Sequence, residues 1–331
     1  MAGPPCAELH LHIEGTLEPE LIFDLAERNG ISLPYSDLEE LRAQYEFTDL
    51  QSFLDLYYRN MEVLRTEADF ADMTRAYLRR AAAAGVRHAE IMMDPQAHLA
   101  RGIGLETCVN GVASALAESE PEFGISTGLI AAFLRDRPAE EALEVLERLL
   151  DMDAPIVGIG LDSAEVGHPP SGFVDLYKRA RAAGLRRIAH AGEEGPPEYI
   201  TEALDLLGAE RVDHGIRCME DDELVQRLVA EQVPLTVCPL SNVRLRAVDT
   251  LKDHPLPAML ARGLNVCVNS DDPAYFGGYV DENFAQLGRA FAFSPDDLAQ
   301  LAANSIRSAF IDGERRSALL ADVDSWRNAQ P

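Results

Sequence analysis

Residues 182–215, AAGLRRIAHAGEEGPPEYITEALDLLGAERVDHG, decide the fold. The run Arg187 to His190 follows directly on Ala182-Ala183-Gly184, where a glycine with φ > 0 can close the last turn of a helix. A helical pattern covers Glu198 to Leu207, and a second short run, Arg211 to His214, again ends in histidine. Strand, helix and strand in succession form a βα unit, whose two strands lie parallel.

The same rhythm extends in both directions. Further candidate strands are Ala7 to His10, Val86 to Met93, Ile125 to Phe133, Pro155 to Leu161, Pro234 to Cys238 and Leu264 to Asn269, which brings the number to eight. Helical patterns fall between them at Glu18 to Asn29, Ala68 to Ala84, Glu106 to Glu118, Ala139 to Leu150, Phe173 to Ala183, Asp221 to Glu231 and Leu256 to Ala261. Eight βα units predict an α/β fold of the TIM-type (β/α)8 barrel, and 331 residues suit one such domain over residues 1–331. No G-x-G-x-x-G follows the first strand, which disfavours a doubly wound dinucleotide-binding sheet. The first connection is too long for a simple loop: Pro34 to Glu67 carries helical patterns and the aromatic residues Tyr45, Phe47, Phe53, Tyr57 and Tyr58. It reads as a helical insertion, about 34–67, that partly covers the barrel mouth. Glu282 to Phe293, Pro295 to Ala303 and a stretch near Arg315 to Asp322 read as extra C-terminal helices.

Composition narrows the partners. With 29 Lys plus Arg against 56 Asp plus Glu, the net charge of −27 opposes binding through phosphate contacts, so neither nucleic acid nor an anionic membrane is expected. Such acidity also serves solubility, and it carries no information about the fold. The five cysteines are scattered and form no C-x-x-C pair, so they read as reduced thiols of a cytoplasmic protein. Met1 to Cys6 lacks the features of a signal peptide, and no apolar run approaches the roughly 18 residues of a membrane span. A soluble protein is expected, and the sequence carries no signal of oligomeric state.

His10-Leu11-His12 ends the first strand, and residues two apart in an extended segment face the same way, so both imidazoles can reach one ion. Alone, an H-x-H is more often a pair of surface histidines. Here His190, His214 and Asp271 fall at the C-terminal ends of other strands, the face where barrel enzymes assemble their sites. His10, His12, His190 and Asp271 would hold one divalent ion with room for a water, whose pKa on zinc falls to about 7. The same donor set also suits iron, manganese or cobalt. Lys178, on a helix, and Lys252, in a loop, are the only lysines, so none is placed to bridge a second metal. Glu193 follows His190 closely but points elsewhere, as befits a general acid. His214 is placed to orient the hydroxide and take its proton, and Asp272 to accept a hydrogen bond from the substrate. The bland alternatives are that His214 before Gly215, and Asp272 before Pro273, simply close turns. Two partial motifs are set aside. His88-Ala89-Glu90 lacks the Pro-Cys-x-x-Cys that a nucleic-acid deaminase requires, and Cys238-Pro239 reads as packing followed by a turn.

Taken together, His10-Leu11-His12-Ile13-Glu14-Gly15-Thr16-Leu17, His190-Ala191-Gly192-Glu193, Asp213-His214-Gly215 and Ser270-Asp271-Asp272-Pro273 resemble the adenosine and adenine deaminase family over nearly the whole chain. The resemblance implies zinc on His10, His12, His190 and Asp271, protonation of a purine ring by Glu193, orientation of the hydroxide by His214 and purine contact from Asp272. Three segments look more like the adenine deaminase branch: residues 12–19, Gly160 to Pro169 with Asp162, and Asp271 to Gly278. Glu14 stands where nucleoside deaminases carry Asp near the ribose, so Glu14, Gly160 and Asp162 join Asp272 as expected substrate contacts. One departure is Ile91-Met92-Met93 after Glu90, where adenine deaminases carry aromatic residues; it either reshapes the pocket for a larger aminopurine or is barrel core.

The implied reaction is zinc-dependent hydrolysis of a small 6-aminopurine, adenine to hypoxanthine and ammonia, with hydroxide attacking C6. Adenosine, an adenosine-like metabolite and an N6-substituted adenine are alternative substrates. A non-catalytic purine-binding protein would have lost a ligand or Glu193, and neither is lost.

Overall fold

The computed structural model describes residues 3–330. Its eight strands are β1 (Cys6–Glu8), β2 (Val86–Met93), β3 (Ser126–Leu134), β4 (Ile156–Asp162), β5 (Arg186–Ala191), β6 (Arg211–His214), β7 (Leu235–Val237) and β8 (Val266–Val268). Each pairs in parallel with the next in chain order, as a TIM-type barrel requires. The seam between β1 and β8 closes just past the strand ends. There the amide of His12 donates to the Asp271 carbonyl and the amide of Asp271 donates to the His10 carbonyl, both at 3.1 Å. The amide of Leu9 donates instead to the side-chain oxygen of Asn269, at 2.8 Å. That exchange of a ladder bond for a side-chain bond is why β1 stops at Glu8 and β8 at Val268, short of the ends expected from sequence.

The expected long helices are present, including Pro19–Asn29, Glu67–Ala84, Leu105–Ala117, Ala139–Asp151, Val174–Ala182 and Asp222–Glu231. Glu67–Ala84 starts on a reciprocal capping box between Thr66 and Asp69 and ends at Gly85, with φ at 93°. The pattern expected over Glu198 to Leu207 is an α-helix, Pro197–Glu202, whose last turn widens to π over Ala203–Leu207. Four short helices were not legible: Pro95–Ala100, Ser119–Phe123, Pro239–Arg244 and Pro273–Phe276. Each spans under two turns, too little for a 3.6-residue period to show, and three open on a proline that reads equally as a turn.

The insertion after β1 forms helices Leu38–Arg42 and Leu50–Asn60. Its aromatic residues pack on those of Pro273–Phe276: Phe53 lies 4.6 Å from Phe276 and Tyr45 lies 5.0 Å from Tyr275, centroid to centroid. Three further helices, Val280–Phe291, Pro295–Ser308 and Gly313–Asn328, complete the chain after β8. The second of them is tied to β1, because Ser305 Oγ accepts from the amide of Ala7 at 3.0 Å. No helix among the described residues is long and apolar enough to cross a membrane, and the five cysteines are buried and unpaired.

Inside the barrel, Met92, Ile130, Ala132 and Ile188 form a small apolar layer. Below it, Glu90 lies on the same face of β2 as Met92 and meets Arg211 of β6, with Oε2 and Nη1 2.7 Å apart. Both are fully buried, and Arg211 also donates to the carbonyls of Leu9 and Ser308 under the ring of Phe310. His88 of the discarded H-x-E motif lies in this lower group too, 3.2 Å from Glu90.

Removing one member of a buried ion pair leaves the other charge uncompensated, which costs about 3–5 kcal/mol. Arg211→Met is therefore expected to lower the unfolding free energy by about that amount in a denaturant titration. A loss under about 1 kcal/mol would show that Glu90 finds another partner or takes up a proton without penalty.

Candidate active site

At the C-terminal rim, His10 and His12 follow β1, Asp162 ends β4, His190 lies in β5, His214 ends β6, and Asp271 and Asp272 follow β8. His214 and Asp271 take φ of 61° and 65°, a left-handed conformation that non-glycine residues adopt at some energetic cost. All seven of these side chains are buried.

Three imidazoles converge on one point. His190 Nε2 lies 3.1 Å from His10 Nε2 and 3.3 Å from His12 Nε2, while Asp271 Oδ1 lies 3.3 Å and 3.5 Å from the same two atoms of His10 and His12. The far nitrogens are turned to acceptors. His10 Nδ1 donates to the Thr236 carbonyl at 3.0 Å, His12 Nδ1 lies 3.5 Å from Asp162 Oδ2, and His190 Nδ1 lies 3.5 Å from Asp213 Oδ2. With its proton on Nδ1, each ring turns an Nε2 lone pair toward the other two, an arrangement that repels itself unless a cation sits between. The residues present thus fit a metal. One group with ligand atoms within 4.8 Å of one another contains His10, His190, His214 and Asp271 but not His12, so with His12 five donors gather where four were expected. His214 also faces the acid: its Nε2 is 3.7 Å from Asp271 Oδ2 and 3.4 Å from Glu193 Oε2.

The electrostatics separate these groups. Burial, then the neighbouring His10, depresses His190 well below the usual histidine range and takes His214 down to about 3, so both rings are neutral. Burial works to raise Asp271 as well, but His10, by charge and by hydrogen bond, leads the groups that hold it well below the carboxylate range. Glu193 moves the other way: burial, then Asp271 and Glu165, push it far up and favour its protonated form. Asp272 rises through burial and Asp271, Asp94 through burial and Glu14, and Asp162 through burial and Asp94.

Glu193 sits on a loop held from one side. The buried carboxylate of Glu165 accepts from four successive amides, those of Gly192 (2.6 Å), Glu193 (3.0 Å), Glu194 (2.9 Å) and Gly195 (2.7 Å). A side chain at Gly195 would strike that carboxylate. Asp272 is placed as closely: a Cβ on Gly15 would collide with its Oδ1, an oxygen that is buried without a hydrogen-bond partner.

The cavity over these groups encloses about 420 Å³, counting its open mouth. The rim contributes Asp94, Asp162, Glu193, His214, Asp271 and Asp272, and the insertion contributes a cover that includes Phe53, Tyr57 and Tyr58. Two expected contacts are not among its lining. Glu14 lies beneath it, with Oε1 accepting from the Asp94 amide at 3.1 Å and bonded to His98 at 2.7 Å. Gly160 sits one layer down in β4, where an added Cβ would touch Ile188 and Ala132. Met92 and Met93 are likewise wholly buried and outside the lining, so the methionines are barrel core. Asp94 was missed, although Met93-Asp94-Pro95 after β2 repeats the strand-end pattern of Asp271-Asp272-Pro273.

Fold and site together define a metal-dependent hydrolase built on an α/β barrel. The adenosine deaminase family model matches residues 5–326, and the chain belongs to that family. Its sequence is 61% identical to an adenine deaminase of Streptomyces coelicolor, over 98% of this chain and 96% of that one. It is 55% identical to an adenine deaminase of Rhodospirillum rubrum, over 96% and 95%. Among solved structures, an adenine deaminase from Arthrobacter aurescens matches with a TM-score of 0.98 and 75% identity, covering 98% of this chain and all of that one, 100%. An amidohydrolase from Burkholderia ambifaria with bound Zn matches with a TM-score of 0.90 and 29% identity, over 98% and 91%.

Charge-assisted hydrogen bonds contribute about 1.5–3 kcal/mol each, so Glu165→Gln should loosen the Glu193 loop more than any neighbouring segment. Hydrogen exchange at the amides of residues 192–195 is expected to speed up by about tenfold or more. Unchanged exchange there would mean that the loop is held by something else.

Proposed function

We propose that this chain is a zinc-dependent aminohydrolase that converts adenine to hypoxanthine and ammonia. The observation that carries the reading is the convergence of His10, His12 and His190 Nε2 with Asp271, beside a Glu193 carboxyl whose burial favours the protonated form. The names of the relatives supply the substrate, and the zinc in the Burkholderia ambifaria amidohydrolase supplies the metal.

In this reading His10, His12, His190 and Asp271 hold the ion. A single zinc bound there lowers the pKa of a water to about 7 and so makes hydroxide available at neutral pH. His214, on the far side of Asp271, orients the attacking oxygen. As the C–O bond forms at C6, the electron pair of the C6–N1 bond moves onto N1, and Glu193 gives its proton to that nitrogen. The hydroxyl now on C6 gives its proton to the Glu193 carboxylate, which passes it to the amino group; the C6–N6 bond breaks, ammonia leaves and C6 keeps a carbonyl oxygen. Asp272 has an unpaired buried oxygen and a raised pKa, so it is free to hydrogen-bond the purine, and as the neutral acid it can donate to a ring nitrogen. Asp94 and Asp162 line the same cavity and complete its polar wall. Met92 and Met93 do not line the cavity, so the sequence-based reason for a larger aminopurine falls away.

Ammonia release by the zinc-loaded protein, compared for adenine, adenosine and N6-methyladenine, tests this directly. Adenine is expected to be the preferred substrate, and preference for either of the others would move the substrate while keeping the chemistry. Glu193→Gln is expected to keep its metal and lose about 10²–10⁴-fold in kcat, the range for removing a general acid. His12→Ala should first lower zinc content by elemental analysis; a full complement of metal in that variant would remove His12 from the ligand set.

A further inference from the structure

Cys238-Pro239 reads as a turn in the sequence, yet the helix it begins, Pro239–Arg244, carries Asn242 into the wall behind His214. Asn242 and His254 are both buried, and with His214 they form a line of hydrogen bonds. The amide of Leu256 donates to His254 Nδ1 at 3.0 Å. His254 Nε2 lies 3.1 Å from Asn242 Oδ1, and Asn242 Nδ2 lies 3.2 Å from His214 Nδ1.

The direction of this line is fixed at its first link. A backbone N–H can only donate, so His254 Nδ1 carries a lone pair and the ring proton sits on Nε2. That N–H requires an acceptor, which turns the carbonyl oxygen of Asn242 toward it. The amide NH2 of Asn242, a donor only, then faces His214, and His214 Nδ1 has to accept. The His214 proton is left on Nε2, the nitrogen 3.4 Å from Glu193 Oε2 and 3.7 Å from Asp271 Oδ2. In the other tautomer an N–H of the ring would meet an N–H of the amide at 3.2 Å, with both side chains buried.

We infer that Asn242 and His254 are positioning residues that lock His214 in its Nε2–H tautomer, so that it meets the attacking oxygen as a hydrogen-bond donor. The inference rests on the deaminase reading and sharpens it. A ring whose Nδ1 is engaged and whose Nε2 is protonated has no free lone pair, so His214 aims the oxygen and does not take its proton. The sequence reading gave His214 both tasks, to orient the hydroxide and to take its proton; this inference keeps the first and not the second. It also explains why an asparagine is needed at position 242: a side chain that accepts at one end and donates at the other transmits the polarity set by a backbone amide some distance from the site.

The experiment is a long-range ¹H–¹⁵N correlation spectrum of the zinc-loaded protein with ring-labelled histidine, assigned through single-histidine variants. Both His214 and His254 are expected to show an unprotonated Nδ1 and a protonated Nε2. A protonated Nδ1 on His214 would overturn the inference without any need for a mutant to fold. Kinetics give a second readout. Asn242→Asp places a group that accepts from both neighbours and so forces His214 into the opposite tautomer. Its kcat on adenine should fall by about 100-fold, the effect of losing one oriented donor, with KM within about twofold and zinc content unchanged. His254→Gln, which can still accept from Leu256 and donate to Asn242, should retain most of the rate, whereas His254→Leu should not. A folded Asn242→Asp protein with wild-type kcat would refute the relay. Silence of the wild type on all three aminopurines would instead refute the deaminase reading, while the ring-nitrogen shifts would still decide the tautomer.

Discussion

Two backbone hydrogen bonds close this barrel, and both belong to residues whose side chains meet at its mouth. His12 donates to Asp271 and Asp271 donates to His10, at the one place where the first and last strands come together. The strands on either side of the seam are three residues long, so little else joins them. Leu9 adds a third tie through the side chain of Asn269, and Glu8 a fourth by accepting from Ser270, while Tyr77 holds Glu8 from the helix behind at 2.8 Å. Closure of the sheet and convergence of the donor atoms are therefore a single event in folding. An error of register at the seam would turn a histidine out of the mouth.

The barrel carries charge at both ends but handles it differently. Below the apolar layer of Met92, Ile130, Ala132 and Ile188, Arg211 neutralises Glu90, and each remaining donor of the guanidinium that is paired meets a carbonyl. Above it, Asp94, Asp162, Glu193, Asp271 and Asp272 share a small volume with four histidines and no lysine or arginine among the cavity's lining. Carboxyls so crowded cannot all ionise, which leaves some of them as proton donors. A fixed cation at the bottom gives stability, and the lack of one at the top leaves a place for a metal ion and for protons that move.

Most of this was legible in the sequence because it repeats or sits at a repeating place. The eight strands show as apolar runs between amphipathic helices, and His10, His12, His190, His214, Asp271 and Asp272 all stand at strand ends. Asp94 stands at one too and was readable by the same rule. What escaped is what depends on contacts without local pattern. Glu165 reaches across 27 to 30 residues to four amides, and nothing near it in the chain announces an acceptor. Asn242 and His254 lie in a short helix and a loop, and their importance comes from which atom faces which. Glu14 and Gly160, expected at the substrate from the family resemblance, lie outside the cavity's lining, because a motif names residues without giving their depth below the mouth.

The aromatic cover over the cavity packs on Tyr275 and Phe276, in the helix that begins immediately after Asp271 and Asp272. The roof of the cavity and the start of that helix therefore brace one another, so a substitution among the roof's rings reaches the two carboxyls without touching them.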